Sequence, residues 1–135
     1  RSLPATKVPN AQLKTLPRLL PMSSAPMKER ERRIGLNEAI FREANERIRE
    51  VNETFATLTD ELILVCECGH GTCAEQISMK PGDYEALRAQ PADFAIVPGH
   101  EIPDLEEVIA RGEEYAIVRK KEGAPRRVAE VTDPR

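Results

Sequence analysis

A chain of 135 residues has room for one ordinary domain, or for one small domain with an appended helix, but not for two full domains. Its three cysteines cannot all pair within the chain, which argues against a secreted disulfide framework and favours a reducing compartment, the cytoplasm. No apolar run approaches the roughly 20 residues that span a bilayer, so we expect a soluble protein.

The charge is divided unevenly along the chain. Residues 1–33 carry eight basic and two acidic side chains, whereas the remainder carries twelve basic and twenty-one acidic ones. The first 26 residues hold five prolines, four basic residues and no acidic one, and they show no sustained hydrophobic period. Residues 1–26 are therefore predicted to be a disordered, Pro-rich basic tail.

Residues 27–58 have the pattern of one long amphipathic helix. Pro26 suits a first helical turn, and Ser24 is a candidate N-cap. One stripe repeats every seven residues with a second set between, which is the alternation of a coiled-coil seam. The stripe consists of Ile34, Phe41, Ile48 and Phe55, with Asn37, Ala44, Val51 and Leu58 between them. It predicts either packing against the chain's own C-terminal domain or docking of a protein partner or a second copy.

Residues 59–119 alternate short apolar runs with turn signals, and they predict a small α+β domain. Apolar runs with β-branched residues predict strands, and proline-led polar runs predict short helices. The predicted strands are 61–66, 94–97 and 115–118, with an extended piece at 77–79, and the predicted helices are 81–88 and 104–110. Residues 120–135, which are charged and contain prolines, are predicted to be a frayed C-terminal tail.

The stretch Cys66-Glu-Cys68-Gly-His-Gly-Thr-Cys73 predicts a metal site. Cys66 and Cys68 stand two apart at a strand end and can point to one face, and the two glycines let the chain fold back to bring Cys73 beside them. Three converging thiolates suit a zinc ion, which prefers tetrahedral sites rich in sulfur and nitrogen. The fold class is therefore α+β, a long N-terminal amphipathic helix followed by a small zinc-stapled domain of about three strands and two short helices.

A closed structural site needs a fourth ligand, and two histidines compete for that place. His70 lies inside the cysteine motif, where closing a chelate ring would be cramped. His100 follows a predicted strand through Pro98-Gly99, a rigid turn that could bring the imidazole beside Cys66, and we favour it. Water and three nearby carboxylates remain alternatives, those of Glu67, Glu75 and Glu101.

Other chemistries are open to three clustered cysteines. The spacing C-x-C-x4-C is less specific than paired C-x2-C motifs. The thiols could stay unligated as small buried hydrophobes, could exchange disulfides as a redox switch, or could hold an iron–sulfur centre, although the common four-cysteine spacings are absent.

The cysteine motif and several flanking stretches together resemble a family of small bacterial proteins to which no function is assigned. The likeness covers about residues 33–133, and in that family the three cysteines and the Pro-Gly-His-Glu turn recur. The stretches that carry it are 37–45, 66–77, 84–88, 94–101 and 114–120. The resemblance implies one structural zinc ion per chain, with Cys66, Cys68, Cys73 and His100 as its ligands. It implies no activity.

No catalytic or nucleotide-binding motif is present: the sequence lacks H-E-x-x-H, G-x-S-x-G, a P-loop, a dinucleotide fingerprint and the zinc-deaminase pattern. Three thiolates and an imidazole fill a zinc shell, which suits structure rather than hydrolysis. We therefore predict a non-catalytic zinc-binding protein that acts as a protein-interaction or regulatory module, with the helix 27–58 binding a partner or a second copy. The alternatives are a nucleic-acid protein of the ribosome or transcription machinery, suggested by the basic head, and a thiol redox or zinc sensor.

Overall fold

The computed structural model describes residues 25–54 and 60–135, and within these ranges the chain forms three helices and five strands. In chain order they are α1 (Ala25–Thr54), β1 (Leu62–Val65), β2 (Gln76–Met79), α2 (Pro81–Arg88), β3 (Asp93–Ile96), β4 (Glu106–Arg111), β5 (Ala116–Lys120) and α3 (Ala124–Val131). The predicted α+β class is confirmed. Residues 31–135 form one compact unit. None of the described helices combines the length and the apolar character that crossing a membrane requires.

Two small antiparallel sheets organise this unit. Strands β1 and β2 form a two-stranded sheet, and β3, β5 and β4 form a three-stranded one with β5 in the middle. One apolar cluster joins the first sheet to α2, and a second joins β3 and β5 to α3 and to two of the cysteines. The first cluster contains Leu62, Leu64, Ile77, Met79, Tyr84, Leu87 and Ala95. The second contains Cys66, Cys68, Phe94, Ile96, Ala116, Val118 and Ala129.

The helix predicted at 104–110 is wrong, because most of this segment belongs to strand β4. The proline-led signal is satisfied by a single turn, in which Leu105 and Glu106 donate backbone hydrogen bonds to the Ile102 carbonyl. The chain then pairs with the central strand, with Glu106 opposite Lys120 and Val108 opposite Val118. Pairing with β5 satisfies backbone groups along one side of this segment, with an irregularity between Val108 and Ala110, and the β-branched Val108 and Ile109 suit an extended chain.

The prediction of a frayed tail at 120–135 is also wrong, because the segment contains α3. Ala129 of this helix is buried in the second apolar cluster, and its carbonyl accepts a hydrogen bond from Arg42 of α1 at 2.7 Å. At the chain end, Arg135 makes two-pronged ion pairs with Glu46 and Glu85. The charges that suggested a solvated tail are therefore partly used to fix the helix to α1 and α2.

The long helix is present, but its most deeply buried side chains are not those of the predicted stripe, which packs on the unit only in part, as Ile48 does against the first apolar cluster. The described part of the stripe is half-buried at Ile34, Phe41 and Ile48, while Val51 is 56 % exposed. Positions 55–58 and most of the predicted basic tail lie outside the described residues. The buried face is instead polar, with exposed fractions of 0 to 3 %. It consists of Glu38, Arg42, Asn45 and Glu46.

Each of these polar side chains forms hydrogen bonds with the rest of the unit, as buried polar groups require, although the Nε atom of Arg42 has no partner among the described residues. The Arg42 guanidinium donates to the carbonyls of Pro91 and Ala129 and lies 4.5 Å above the ring of Phe94. The Asn45 amide accepts from the N–H of Val65 at 2.8 Å and donates to its carbonyl at 2.9 Å. It thereby acts as a short extra strand partner at the end of β1.

A second group of buried charges joins α1 to the three-stranded sheet. The Lys120 ammonium donates to Glu38 at 2.9 Å and to Glu106 at 2.8 Å, and all three side chains are nearly inaccessible. Burial raises the pKa of Glu38 from 4.5 to about 7, with Lys120 and Arg42 opposing the shift and Glu106 adding to it. One ammonium is thus shared by two buried carboxylates, and a proton on Glu38 relieves the excess negative charge.

We expect the substitution Glu38→Gln to flatten the pH dependence of stability. A folded-state pKa above the unfolded value of 4.5 means that this group's contribution is present below pH 4.5 and is lost as pH rises through about 7. At about 1.4 kcal/mol per pKa unit, the variant should gain on the order of 2–3 kcal/mol relative to the wild type between these limits. Urea unfolding at several pH values measures the difference. The matched variant Glu43→Gln, on the exposed side of α1, should run parallel to the wild type, and a parallel profile for Glu38→Gln would refute the prediction.

Candidate metal centre

Three backbone hydrogen bonds bring the cysteine motif and His100 together. The N–H of Cys66 bonds to the carbonyl of Glu75, and the N–H of Cys73 bonds to the carbonyl of His70, so the chain folds back directly after β1. The N–H of His100 bonds to the carbonyl of Val97, closing a turn that contains a glycine with φ of 96°. The end of β1, the approach to β2 and the turn after β3 therefore meet at one point.

Four potential ligand atoms converge at this point. The sulfur atoms of the three cysteines and one ring nitrogen of His100 all lie within 4.8 Å of one another. The Nδ1 atom of His100 is 3.6 Å from the sulfur of Cys66 and 3.7 Å from that of Cys73. Metal–ligand bonds of about 2.3 Å to sulfur and about 2.0 Å to nitrogen in a tetrahedron require sulfur–nitrogen separations of about 3.6 Å. These two separations therefore suit tetrahedral coordination, and the four residues could hold a metal ion.

The cluster lies at the edge of the second apolar cluster rather than in open solvent. Cys66 and Cys68 are each 1 % exposed, and Cys73 and His100 are partly exposed. The N–H of Val97 donates to the sulfur of Cys66 at 3.2 Å. Hydrogen bonds from the Cys68 thiol, from this N–H and from His100 lower the pKa of Cys66 to about 5, against the opposing effect of burial. The surroundings thus favour a thiolate at Cys66, the form in which cysteine binds metals, whereas the same hydrogen bond and burial raise the pKa of Cys68.

The structure brings His100 into the cluster and leaves His70 outside it. His70 is exposed, and its ring centroid lies 6.2 Å from that of His100. The second ring nitrogen of His100, Nε2, is 3.4 Å from a carboxylate oxygen of Glu75. A carboxylate in this position orients a metal-binding imidazole and increases its basicity. Glu75 therefore lies beside the imidazole as a supporting group, a role that cannot be told from that of a ligand by its position in the sequence.

Glu67, which sequence reasoning considered only as a ligand, points away from the cluster. Its side chain is fully buried and receives two hydrogen bonds from Arg88, at 2.8 and 3.1 Å. It accepts two more, from the N–H of Ala95 at 3.0 Å and from the amide of Asn45 at 2.7 Å. Because Glu67 stands between two cysteines, these bonds fix the backbone between them relative to α1, α2 and β3. Successive side chains of an extended segment point to opposite sides. The position of Glu67 between two cysteines that face the cluster is therefore the sequence signal that its side chain faces away from it.

Helix α1 closes over the cysteine motif at Gly69. The Asn37 amide donates to the Gly69 carbonyl at 3.0 Å, and a Cβ atom at position 69 would collide with the side chain of Ile34. The absence of a side chain at this position therefore lets the helix lie directly on the cysteine motif. The predicted stripe does touch the chain's own domain here, through Ile34 and Asn37.

We expect the two histidines to behave differently when each is replaced by alanine. His100→Ala should lower metal affinity by at least about 100-fold, since even partners of a ligand contribute about 10–100-fold. His70→Ala removes the same side chain from the same neighbourhood and should leave affinity unchanged. Competition with a chromophoric chelator measures both, and equal losses in the two variants would refute the assignment.

The fold and the cluster together define a small α+β protein with a Cys3His group able to bind a metal ion. Comparison of the chain with protein-family models, curated proteins and solved structures returned no match. The assignment of a function therefore depends on the geometry and chemistry of the chain's own residues.

Proposed function

We propose that this chain is a non-catalytic zinc protein in which one Zn²⁺ holds the cysteine motif against the turn after β3, and so supports the surface on which α1 lies. The observation that carries the proposal is the convergence of three cysteine sulfurs and the His100 nitrogen within 4.8 Å, with two sulfur–nitrogen separations of 3.6 and 3.7 Å that suit a tetrahedral ion. The motif also contacts α1 directly through Gly69. Metal binding and the position of the helix are therefore coupled.

A structural role is favoured over a catalytic one by the ligand set. Catalytic zinc sites keep a position open for water or substrate, whereas three thiolates and an imidazole fill the shell and neutralise the ion's Lewis acidity. Two surface grooves among the described residues lie away from the cluster. One, of about 290 Å³, is lined by residues 110–115, and the other, of about 270 Å³, lies between α2 and β5.

The chain is proposed to act as an interaction module in a reducing compartment, the cytoplasm. It is also proposed to belong to the small bacterial family that its cysteine motif resembles. The support for the interaction role is the unusual distribution of side chains on α1, which buries four polar or charged side chains and leaves Leu36, Ile40 and Val51 exposed among charged residues. A surface helix ordinarily turns its apolar residues inward. Large apolar side chains exposed on one face are typical of a surface that binds a partner.

Replacing the metal by Co²⁺ tests the closed coordination shell. We expect one cobalt ion per chain, with the intense visible absorption of tetrahedral cobalt bound to thiolates. Adding cyanide or thiocyanate should leave this spectrum unchanged, because no coordination position is free. A spectrum that shifts with added anion, while the chain stays folded, would show an open position and overturn the non-catalytic proposal.

A thiol sensor is the second candidate, and the partial exposure of Cys73 beside two buried cysteines favours it. Cys73 would be the thiolate that an oxidant reaches first, and a disulfide with a neighbouring cysteine would release the ion. Stoichiometric zinc release by dilute peroxide, reversed by a thiol reductant, distinguishes this candidate from an inert structural site.

A further inference from the structure

The outward face of α1 carries an apolar strip that residues 31–54 and 60–135 leave exposed. Leu36, Ile40 and Val51 are 42 %, 64 % and 56 % exposed, and the half-buried Ala44 lies between them. Their spacing places all four on one side of the helix, opposite the inward charges of Glu38 and Arg42. We call these four residues the outward strip.

Charged side chains beside the outward strip have opposite signs at its two ends. Before Leu36, the exposed charges within the compact unit are Arg32 and Arg33. Beyond Ala44 the exposed acidic residues are Glu50 and Glu53. Arg47 interrupts the strip and lies 3.1 Å from Glu43 and 3.2 Å from Glu50. Two carboxylates share this one guanidinium, so the group keeps a net negative charge and this end of the strip stays acidic. A surface of this kind is complementary to itself when the second copy runs in the opposite direction.

We propose that a second copy of this chain covers the outward strip, with the two α1 helices packed antiparallel about a two-fold axis near Ile40 and Ala44. A two-fold interface uses the same patch on both subunits, so it requires this self-complementarity. Arg33 of one copy then lies beside Glu50 of the other, and the two-fold axis repeats this pair at the opposite end of the interface. Between residues 32 and 51 the helix is about 30 Å long, enough for about five turns of contact. A parallel pair would instead set Arg33 against Arg33.

This inference rests on the proposed function, because the zinc-supported domain holds α1 with the outward strip exposed. Sedimentation equilibrium on the full-length zinc-loaded chain tests it, and we expect a dimer. Ile40→Lys should raise the dimer dissociation constant at least about tenfold, since it removes a large apolar side chain from each half of the interface. Ile63→Lys makes the same change at a residue that is 53 % exposed on β1 and should leave the dimer intact. Zinc content and helical circular dichroism should be unchanged in both variants.

Charge exchange tests the antiparallel direction. Arg33→Glu and Glu50→Arg should each weaken the dimer, and an equimolar mixture of the two variants should recover it as a heterodimer with two unlike pairs. In a parallel pair neither single change would weaken association. A monomeric wild type, or a dimer that Ile40→Lys leaves intact, would overturn the proposal while zinc content and folding stay normal. Loss of zinc from a chain that still dimerises would instead contradict the proposed function alone.

Discussion

Replacing Cys66 by serine is expected to release the metal and to unfold the region around β1, β3 and the cysteine motif. In small zinc domains the binding free energy is folding free energy, about 10–16 kcal/mol for zinc-finger peptides, whereas a whole domain is stable by only about 5–15 kcal/mol. Loss of one thiolate therefore removes a contribution comparable to the entire stability. Circular dichroism during urea unfolding, together with metal content, measures the effect, and chelation of the wild type should reproduce it.

The exposed Thr72 in the same motif provides the control for this substitution. Thr72→Ala changes a neighbouring side chain that points to solvent, and it should alter stability by no more than about 0.5 kcal/mol. If Cys66→Ser lost the metal but kept its unfolding free energy, the ion would have no structural role.

The next largest effect is expected at the buried ion pair between Arg88 and Glu67. Both side chains are at most 1 % exposed and lie 2.8 Å apart, so Arg88→Met leaves an unpaired carboxylate in the interior. Breaking a buried pair from one side costs about 3–5 kcal/mol. Because Glu67 holds the backbone between two cysteines, the same variant should also bind zinc more weakly.

A double-mutant cycle separates the pair from the packing around it. The variant Arg88→Met with Glu67→Leu removes both charges, and its loss of stability should be smaller than the sum of the single losses. Arg47→Met is the matched control, since Arg47 pairs with Glu43 at the exposed surface of α1, where such pairs contribute less than about 1 kcal/mol. Equal losses for Arg88→Met and Arg47→Met would contradict the account of the interior.

Local sequence signals were sufficient for part of this fold. The apolar runs before Cys66, before Pro98 and after Glu114 each form a strand, and the proline-led segment 81–88 forms α2. These elements are specified by residues that are close in sequence. The segment 104–110 differs because pairing with β5 overrides a weak helix signal, and the last residues form α3 because their partners lie on α1 and α2.

The polar face of α1 could not be predicted from periodicity. A search for apolar repeats selects Ile34, Phe41 and Ile48. The side chains that α1 buries most deeply are instead polar or charged, and they find their partners far away in sequence. Arg42 reaches the carbonyl of Ala129, 87 residues further on, and Glu38 reaches Lys120 at a separation of 82. A charged residue is recognised as buried only when its counter-charge is placed in space.

The cysteine cluster was accessible from sequence because its geometry is mostly local. Alternation at the strand end places Cys66 and Cys68 on one side, and the glycines allow Cys73 to return. The turn at Pro98-Gly99 was sufficient to favour His100. The roles of the neighbouring carboxylates could not be predicted from local sequence. Glu67, for example, is turned inward by Arg88, which lies in another element.

Metal content is the most direct test of the central claim. The full chain should be purified under reducing conditions without added metal and analysed by elemental mass spectrometry together with its visible absorption. We predict one zinc ion per chain in a colourless protein. Iron together with visible absorption would show that the cluster is a redox centre and not a structural zinc site. A folded chain without any metal would contradict the account outright.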